Sequence, residues 1–593
     1  MAIIVNFAGA SLKKPGAYSR IKVAQGGAAE AQLGIVALVG EADSGLQYSA
    51  DTLEDVVFSP EQFGSILDKY GSGPIVDAAR LALTPSNDPQ IVGGAQQLIL
   101  MVTNALVKAS LTLAGAYGVI KDKKGGADGN KIAIQIDNAL GQRVITITDA
   151  KSGQSEVSSA IGGVTALSIQ ALSGTSCTMS ISATHLTTVP AGVGAPAALN
   201  LKLTDFSTIQ DMADYINTIT GYTAVVGTDQ ANNPPSILDR VTAVDIFTAL
   251  YAILRDAYDI QQFFASSGLV DFTPGVSGYV GLPAVLVKTF LAGGARGATT
   301  NANVQGALDQ LLKFRVNFIV PLFSRDASSD ITDGLTDSLS SYTIDSVNAA
   351  TKTHVKQAST VKGKKERQGF VSYKGTFSAT KSKSLALNCD RLQMVFQNVD
   401  VLDSSGELFT AQPFMLAVIA AGMKAAAVVG LPNTFKLVNV NGFSHPSFDP
   451  EVDHDPAIDA NLTFLEKAPG GGFRFVLDNS TYGQVKDAWV YARPSVVYAG
   501  DVAAYSIRLN TETFVGQRNS DVSRETVKNL LITVMDALRS SGIIVPDANT
   551  AGKGFKDMAI DIVGSVIKVN VTLALVEGYE FVLNDILVQR AVQ

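Results

Sequence analysis

Residues 34–40 read Gly-Ile-Val-Ala-Leu-Val-Gly, seven positions without a polar side chain. A strand that is apolar on both faces must be covered on both, which places it inside a sheet sandwiched between other layers. Residues 98–102 repeat the pattern, and residues 316–320, ending at Pro321, read as a buried strand interrupted only by Asn317. Ser59-Pro60-Glu61-Gln62 is a capping box with proline at the first helical position, and Phe63, Ile66, Leu67 and Tyr70 follow at helical spacing. Gly71-Ser72-Gly73-Pro74 stops that helix, and residues 75–83 start another. Residues 33–103 therefore read strand, helix, helix, strand. A strand at 284–290, a helix carrying Val304, Leu308, Leu311 and Leu312, and the strand at 316–320 read as a crossover unit of a mixed sheet. The expected middle α/β domain is discontinuous, 33–103 plus 233–345.

Between these halves the periodicity changes to two. Residues 131–136 and 143–148 alternate, Gly125-Gly126, Asp128-Gly129-Asn130 and Ser152-Gly153 supply turns, and Ser and Thr dominate residues 152–188. Residues 104–232 read as an inserted β-rich module with one helix near 209–219, closed by Asn232-Asn233-Pro234-Pro235. One long helix is expected over 236–264, with Ile237, Val241, Val244, Leu250, Leu254 and Tyr258 on its apolar face. The polar, basic stretch 351–383 reads as a solvated loop or hairpin. Residues 346–593 form a C-terminal domain with strands at 391–399, 435–440, 487–493 and 503–509 and a helix at 413–429. An amphipathic helix at 522–540 buries Val527, Leu530, Leu531, Val534 and Leu538. The fold class is thus a mixed α+β and α/β multidomain protein, and 593 residues at roughly 150 per domain agree with about four units.

The chain ends are distinctive. Ile3, Val5 and Phe7 make a short apolar strand, cut off from the body by Lys13-Lys14-Pro15-Gly16 and without an obvious local partner, so residues 1–32 read as an arm. Val569, Val571, Leu573 and Leu575 alternate with Lys568, Asn570, Thr572 and Ala574, a strand with one buried face. An apolar strand at an edge is an aggregation hazard unless something pairs with it.

Much chemistry is missing. Against 46 Lys and Arg stand 54 Asp and Glu, a net charge of −8 that gives no reason to expect nucleic-acid or anionic-membrane binding. Cys177 and Cys389 are too few for a disulfide framework or a cysteine zinc site. The N-terminal residues do not have the pattern of a secretory signal. The apolar run 414–431 carries Lys424 at its middle and reads as a buried helix rather than a membrane span. Walker, G-x-S-x-G and H-E-x-x-H motifs are absent. Residues 192–197 match G-x-G-x-x-A without the strand before and helix after that the fingerprint needs. His445, Asp449, Glu451, Asp453, His454, Asp455 and Asp459 are the best set of cation ligands, but Pro446, Pro450, Pro456 and the irregular spacing favour a solvated loop. The run Lys362-Gly363-Lys364-Lys365-Glu366-Arg367 lacks interleaved aromatics and reads as a solvated face. No catalytic residues, metal or cofactor are assigned.

Five stretches, in order along nearly the whole chain, resemble the tail sheath proteins of contractile phage tails and related injection systems. They are Pro15-Gly16-Ala17-Tyr18 with residues 34–40, and Tyr70-Gly71-Ser72-Gly73 with Gly93-Gly94 and residues 98–102. Next come residues 291–297 with the helix 302–313 and the strand ending at Pro321, and Ala420-Ala421-Gly422 with residues 430–436. The last is the C-terminal pair of strands, expected at 566–576 and 581–588, which make residues 566–593 terminal linking strands. The chain departs from the family at Ala295-Arg296-Gly297, where an acidic residue before the glycine is expected, and in its long insertion.

The resemblance implies a structural subunit, not an enzyme, that stacks as hexameric rings helically around a tail tube protein. Baseplate and tail terminator proteins are the further implied partners, with no direct nucleic-acid contact and no membrane insertion. It also implies a place in the virion tail, with assembly in the bacterial host cytoplasm. The C-terminal half would lie near the tube and the insertion would project outward. Ile3, Val5, Phe7, Val569, Val571, Leu573 and Leu575 would then link subunits by strand donation, and Arg524, Lys528 and Arg539 would face the tube. A surface-layer or adhesin-type protein is the alternative favoured by the Ser/Thr-rich module, and a metal-assisted hydrolase using residues 445–459 is a weaker one.

Overall fold

The computed structural model describes the backbone of residues 5–7 and 10–12, and residues 33–45, 47–48, 56–327, 340–403, 405–483, 492–518, 522–580 and 582–583. Ile3, Tyr18, Trp489 and nearly all of 581–588 lie outside them.

Ile35–Gly40 is buried at every position and sits within a six-stranded sheet. In spatial order the strands are Leu392–Val395, Gln368–Ser372, Phe318–Pro321, Ile35–Gly40, Gln97–Val102 and Val57–Phe58. The first five run parallel, and the short last strand is antiparallel. Alternate side chains enter two cores. Val36, Leu38, Leu98 and Leu100 meet the helices Pro74–Leu83 and Pro413–Ala426 on one face. Ile35, Ala37, Val39, Ile99 and Met101 meet Asn301–Leu311 and Ile344–Ala358 on the other. This is the two-sided cover that the apolar runs demand. Lys424 lies inside the Pro413–Ala426 helix, 2% exposed, in a salt bridge with the equally buried Asp478. Among the described residues no helix is long and apolar enough to cross a membrane.

Several expected elements are corrected. Residues 351–383 are not a solvated loop. They complete the helix Ile344–Ala358 and form the strand Gln368–Ser372 and most of the helix Phe377–Leu387. The basic run is partly internal: Lys365 Nζ donates to the carbonyls of Leu312 and Lys313, 2.6 and 2.9 Å away. Arg367, 1% exposed, donates to Leu311 and Phe314. Two cations thereby satisfy carbonyls at the end of Asn301–Leu311, where the helix dipole favours them. Because 368–372 and 392–395 belong to the same sheet as 35–40, that sheet runs across the expected boundary at 345.

The expected helix 236–264 is instead two strands, Val241–Asp245 and Tyr251–Leu254, and a shorter helix, Asp256–Ser266. Each strand has a partner in the module, Ser176–Ile181 and Thr165–Ala171 respectively. Val270–Pro274 and Leu286–Phe290 likewise pair with Gly118–Asp122 and Ile132–Ala139. The segment 233–290, expected with the middle domain, thus supplies strands to the β-rich module. That module has two cores, one around Ile134, Ile147, Ile260 and Phe264, the other around Ile169, Met179, Met212 and Ile253. It joins the body where Ala105 N–H donates to Ala298 O, 3.0 Å, and where Arg296 Nε meets Asp43 at 2.7 Å.

Residues 503–509 are not a strand but lie within the helix Pro494–Thr511, started by proline at its first position. Of the expected strand 487–493, residues 487–491 lie outside the described residues. Only Leu437–Val438 of the expected strand 435–440 pairs. At the N-terminus Val5–Phe7 does have a local partner, the antiparallel strand Ala10–Leu12.

Candidate functional site

The C-terminal lobe consists of Pro494–Thr511, Arg524–Ser540 and a hairpin, Phe555–Val563 with Val566–Leu573. Ser523 caps the second helix by accepting from the Thr526 N–H at 3.1 Å. Val527, Leu531, Val534, Met535 and Leu538 are buried. Leu530, expected among them, is only half-buried. Met535 was missed, although it lies four residues from Leu531 on the same stripe. Arg524, Lys528 and Arg539 are exposed. Arg539 pairs with Asp536 at 2.9 Å, and Lys528 approaches Glu525 at 3.9 Å. Lys528 and Arg539 share a depression of about 520 Å³ with Lys553 and Lys556, two cations from beyond the helix that helix periodicity alone does not connect to it.

The hairpin turns at Gly564-Ser565, with Gly564 at φ 59°. Ile567, Val569, Val571 and Leu573 face the lobe, while Lys568, Asn570 and Thr572 are exposed. Ile560 opposes Val569, and Ile562 opposes Ile567. Val569 and Leu573 are therefore paired within their own chain, with Ile560 and Phe555, while Val571 lies at the register shift between Lys556 and Ala559. Leu575 bridges to Ile544, and both Leu573 and Leu575 pack on the main core. Among the described residues the hairpin is a two-stranded sheet, with no third strand on either long edge. Beneath it an apolar groove of about 690 Å³ is lined by Ile507, Phe514, Val515, Val527, Ile562 and Val569. The side chains of Val5 and Phe7, like all of Ile3, lie outside the described residues.

The other candidate set does not form a site. Asp449 Oδ1 accepts the Glu451 N–H at 3.0 Å, Asp453 accepts that of Asp449 at 3.0 Å, and His454 meets Asp455 at 3.2 Å. His445 packs edge-on against Phe396 with centroids 5.1 Å apart, and burial pushes its imidazole below the usual range. These contacts build turns. Among the described residues no group of three or more His, Cys, Asp or Glu side chains is placed to hold a metal ion.

With a central α/β sheet, an inserted β-rich module and a C-terminal helix-and-hairpin lobe, the chain has the fold of sheath tail proteins. It covers 93% of its length and 94% of the sheath tail protein of Listeria innocua, with a TM-score of 0.52 and 14% identity. For the sheath tail protein of Desulfitobacterium hafniense the coverage is 94% and 100%, with a TM-score of 0.51 and 14% identity. No family model matches the chain. In sequence it is homologous to the tail sheath protein of Bacillus phage SP01, with 26% identity over 612 aligned positions that span 98% of this chain and 96% of that one. The resemblance to tail sheath proteins thus holds over 98% of the chain in sequence and over more than nine-tenths of it in fold.

Proposed function

We propose that this chain is the structural subunit of a contractile tail sheath, polymerising around an inner tail tube and contracting to drive the tube through a bacterial envelope. The observation that carries the reading is the end-to-end sequence match to a phage tail sheath protein, which leaves no large part of either chain unaccounted for. The open-edged terminal hairpin supports it. Rings stacked helically need a heterologous contact that propagates along the axis. Strand addition supplies one: main-chain hydrogen bonds hold subunits together while their bodies rotate. In this reading Ile3, Val5 and Phe7 of one subunit reach the sheet edge of another, around Val569 and Val571. Leu573 and Leu575 hold the base of that sheet to its own body.

The lobe's exposed cations, Arg524, Lys528 and Arg539 with Lys553 and Lys556, face the tube, and the β-rich module projects outward. Contraction draws on stored assembly energy. At ~25 cal/mol per Å² of apolar area, about 200 Å² of extra burial per subunit is worth ~5 kcal/mol. Baseplate and tail terminator proteins complete the partner set, and the place of action is the virion, after assembly in the host cytoplasm. Negative-stain microscopy of the purified protein tests the reading. Rings or striated hollow sleeves are expected; a protein that stays monomeric at high concentration, alone and with tube, rejects it.

A further inference from the structure

The β-rich module narrows to a neck of two chain crossings, Gly162-Gly163 going out and Arg255-Asp256 coming back. Every buried residue of the core around Ile169 and Met179 lies between Ala166 and Ile253. Every buried residue of the core around Ile134 and Phe264 lies outside residues 164–255. Among the described residues, the strands of 164–255 pair only with one another. The ends of this segment meet: Arg255 N–H donates to Val164 O at 3.2 Å, and Asp256 Oδ1 accepts the Gly163 N–H at 2.8 Å. Gly162 and Gly163 both take positive φ, 128° and 77°, and a Cβ on Gly163 would meet nothing within 4 Å. A segment with its own core and its own sheets, joined at one place, is free to move as a unit. A short polar seam holds its pose. Asp239 accepts the Ala257 N–H of the helix Asp256–Ser266 at 2.9 Å. Arg240 N–H donates to Tyr279 O at 2.9 Å, and its guanidinium lies 3.7 Å from the Tyr279 ring centroid. Tyr258 of the helix rests, half-buried, on the outer core.

We infer that residues 164–255 are a self-contained outer domain hinged at Gly162-Gly163 and Arg255-Asp256, and that Asp239 is the pin that holds its pose, more firmly in acid than above neutrality. Asp239 is 5% exposed, and opening the seam returns its carboxylate to water. The ionised form gains most from that hydration, so deprotonation favours the open pose. The charged groups around the seam are Asp256 and Asp259 of the helix, Arg255 of the neck and Arg240, with Tyr117 and Tyr279 from the inner half. Arg255 is engaged by Asp259, 3.0 Å from Nε, and by Gln230, 2.8 Å from Nη1. Arg240 lies over the Tyr279 ring, and the Tyr117 hydroxyl donates to Gly281 O at 2.9 Å. Burial first, and the charge of Asp256 next, raise the Asp239 carboxyl to about 6. Against an ordinary aspartate near about 4, the ratio of open to closed poses therefore rises by at most about a hundredfold between pH 4.5 and pH 8. That neighbouring subunits use this freedom rests on the reading above; the hinge does not.

The test is a distance measurement by pulsed electron paramagnetic resonance on the unassembled full-length chain, nitroxide-labelled at Leu140→Cys and Val193→Cys. Both positions are fully exposed, and they lie on opposite sides of the neck. Cys177 and Cys389 are buried and stay unlabelled. One narrow distribution is expected at pH 4.5 and a roughly twofold broader one at pH 8. Asp239→Asn keeps an acceptor for the Ala257 N–H but does not titrate, so its distribution is expected to stay narrow at both pH values. Asp239→Ala/Arg240→Ala is expected to be broad at both. A width that ignores pH, or that still follows pH in Asp239→Asn, overturns Asp239 as the pH-sensitive pin. A width that stays narrow in the double variant as well overturns the hinge. If circular dichroism shows that the double variant does not fold, Arg240→Ala alone takes its place. Because no polymer is involved, failure of the hinge and failure of the sheath reading, judged by microscopy, are separate results.

Discussion

Arg391, at the start of the strand Leu392–Val395, and Asp501, in the second turn of Pro494–Thr511, form a two-bond fork at 2.6 and 2.8 Å. With Arg508–Glu366, at 2.9 and 2.6 Å, it ties the polar stripe of that helix to the central sheet. Tyr498 and Tyr505 lie on the same stripe, and Arg315 stacks over the Tyr505 ring.

Arg391 and Asp501 are only 16% and 11% exposed at their side chains. Removing one partner therefore strands a charge away from water. Arg391→Ala is expected to cost about 3–5 kcal/mol in denaturant unfolding, whereas Arg391→Met/Asp501→Leu is expected to cost much less. Equal losses in both variants would show that packing, not the charge, dominates this seam.

The β-rich module carries a pH-dependent joint. Asp239 accepts the Ala257 N–H at 2.9 Å at the start of Asp256–Ser266, and it is 5% exposed. Burial first, and the charge of Asp256 next, push its carboxyl up to about 6. A carboxyl raised in the folded state binds its proton more tightly there than in the unfolded chain. The contribution of Asp239 to stability is therefore fully present below about pH 4 and is lost as pH rises through about 6, by at most ~3 kcal/mol. Burial also raises Asp256, which adds in the same direction. Urea unfolding at pH 4.5 and pH 7 should show this slope, and Asp239→Asn should flatten it. An undiminished slope in the variant would reject the assignment.

Deleting residues 104–232 should unfold or aggregate the protein, because Val241–Asp245, Tyr251–Leu254, Val270–Pro274 and Leu286–Phe290 would lose their partners. Deleting residues 106–297 should leave a soluble body, since Ala105 and Ala298 are already hydrogen-bonded at 3.0 Å. Circular dichroism and gel filtration compare the two. Insolubility of the larger deletion would show that the body needs the module to fold.

Ile3→Pro/Val5→Pro removes two backbone donors and blocks strand addition. Each subunit is expected to keep its circular dichroism while sleeve formation is lost. Sleeves of normal length from this variant would rule out the N-terminal arm as a linker.

Arg524→Glu/Lys528→Glu is expected to weaken co-assembly with the tube by reversing charge on the exposed helix face, while sheath-only polymers form as before. Unchanged co-sedimentation with tube would reject the tube-facing assignment.

Where the sequence reading succeeded, one segment's own side chains carried the information. Two-sided burial strips polar residues from 34–40 and 98–102, and one-sided burial leaves the alternation of 566–573, so both kinds of strand are visible without their partners. The errors have the opposite character. Residues 503–509 alternate enough to pass for a strand, yet they lie inside a helix buried along more than one side, where the contrast between faces is weak. The apolar spacing of 236–264 fits a helix face, but the segment breaks into strands because free edges at 165–171 and 176–181, far away in sequence, take them up. Lys365 and Arg367 read as solvated because charge normally prefers water; they turn inward because helix-end carbonyls wait there.

What the sequence by itself determined is the set of doubly and singly covered strands, the absence of recognised catalytic motifs, and the ordered stretches that mark the resemblance. Only the tertiary structure decided that one sheet draws on residues from 35 to 395, that the module reaches to residue 290, and that Glu580, past the terminal hairpin, pairs with Arg493 at the start of Pro494–Thr511. The reason is physical: burial leaves its mark on the residues of a single segment, whereas strand pairing, helix-end satisfaction and ion-pair geometry depend on which distant segment arrives, and backbone groups carry no residue-specific record of their partner.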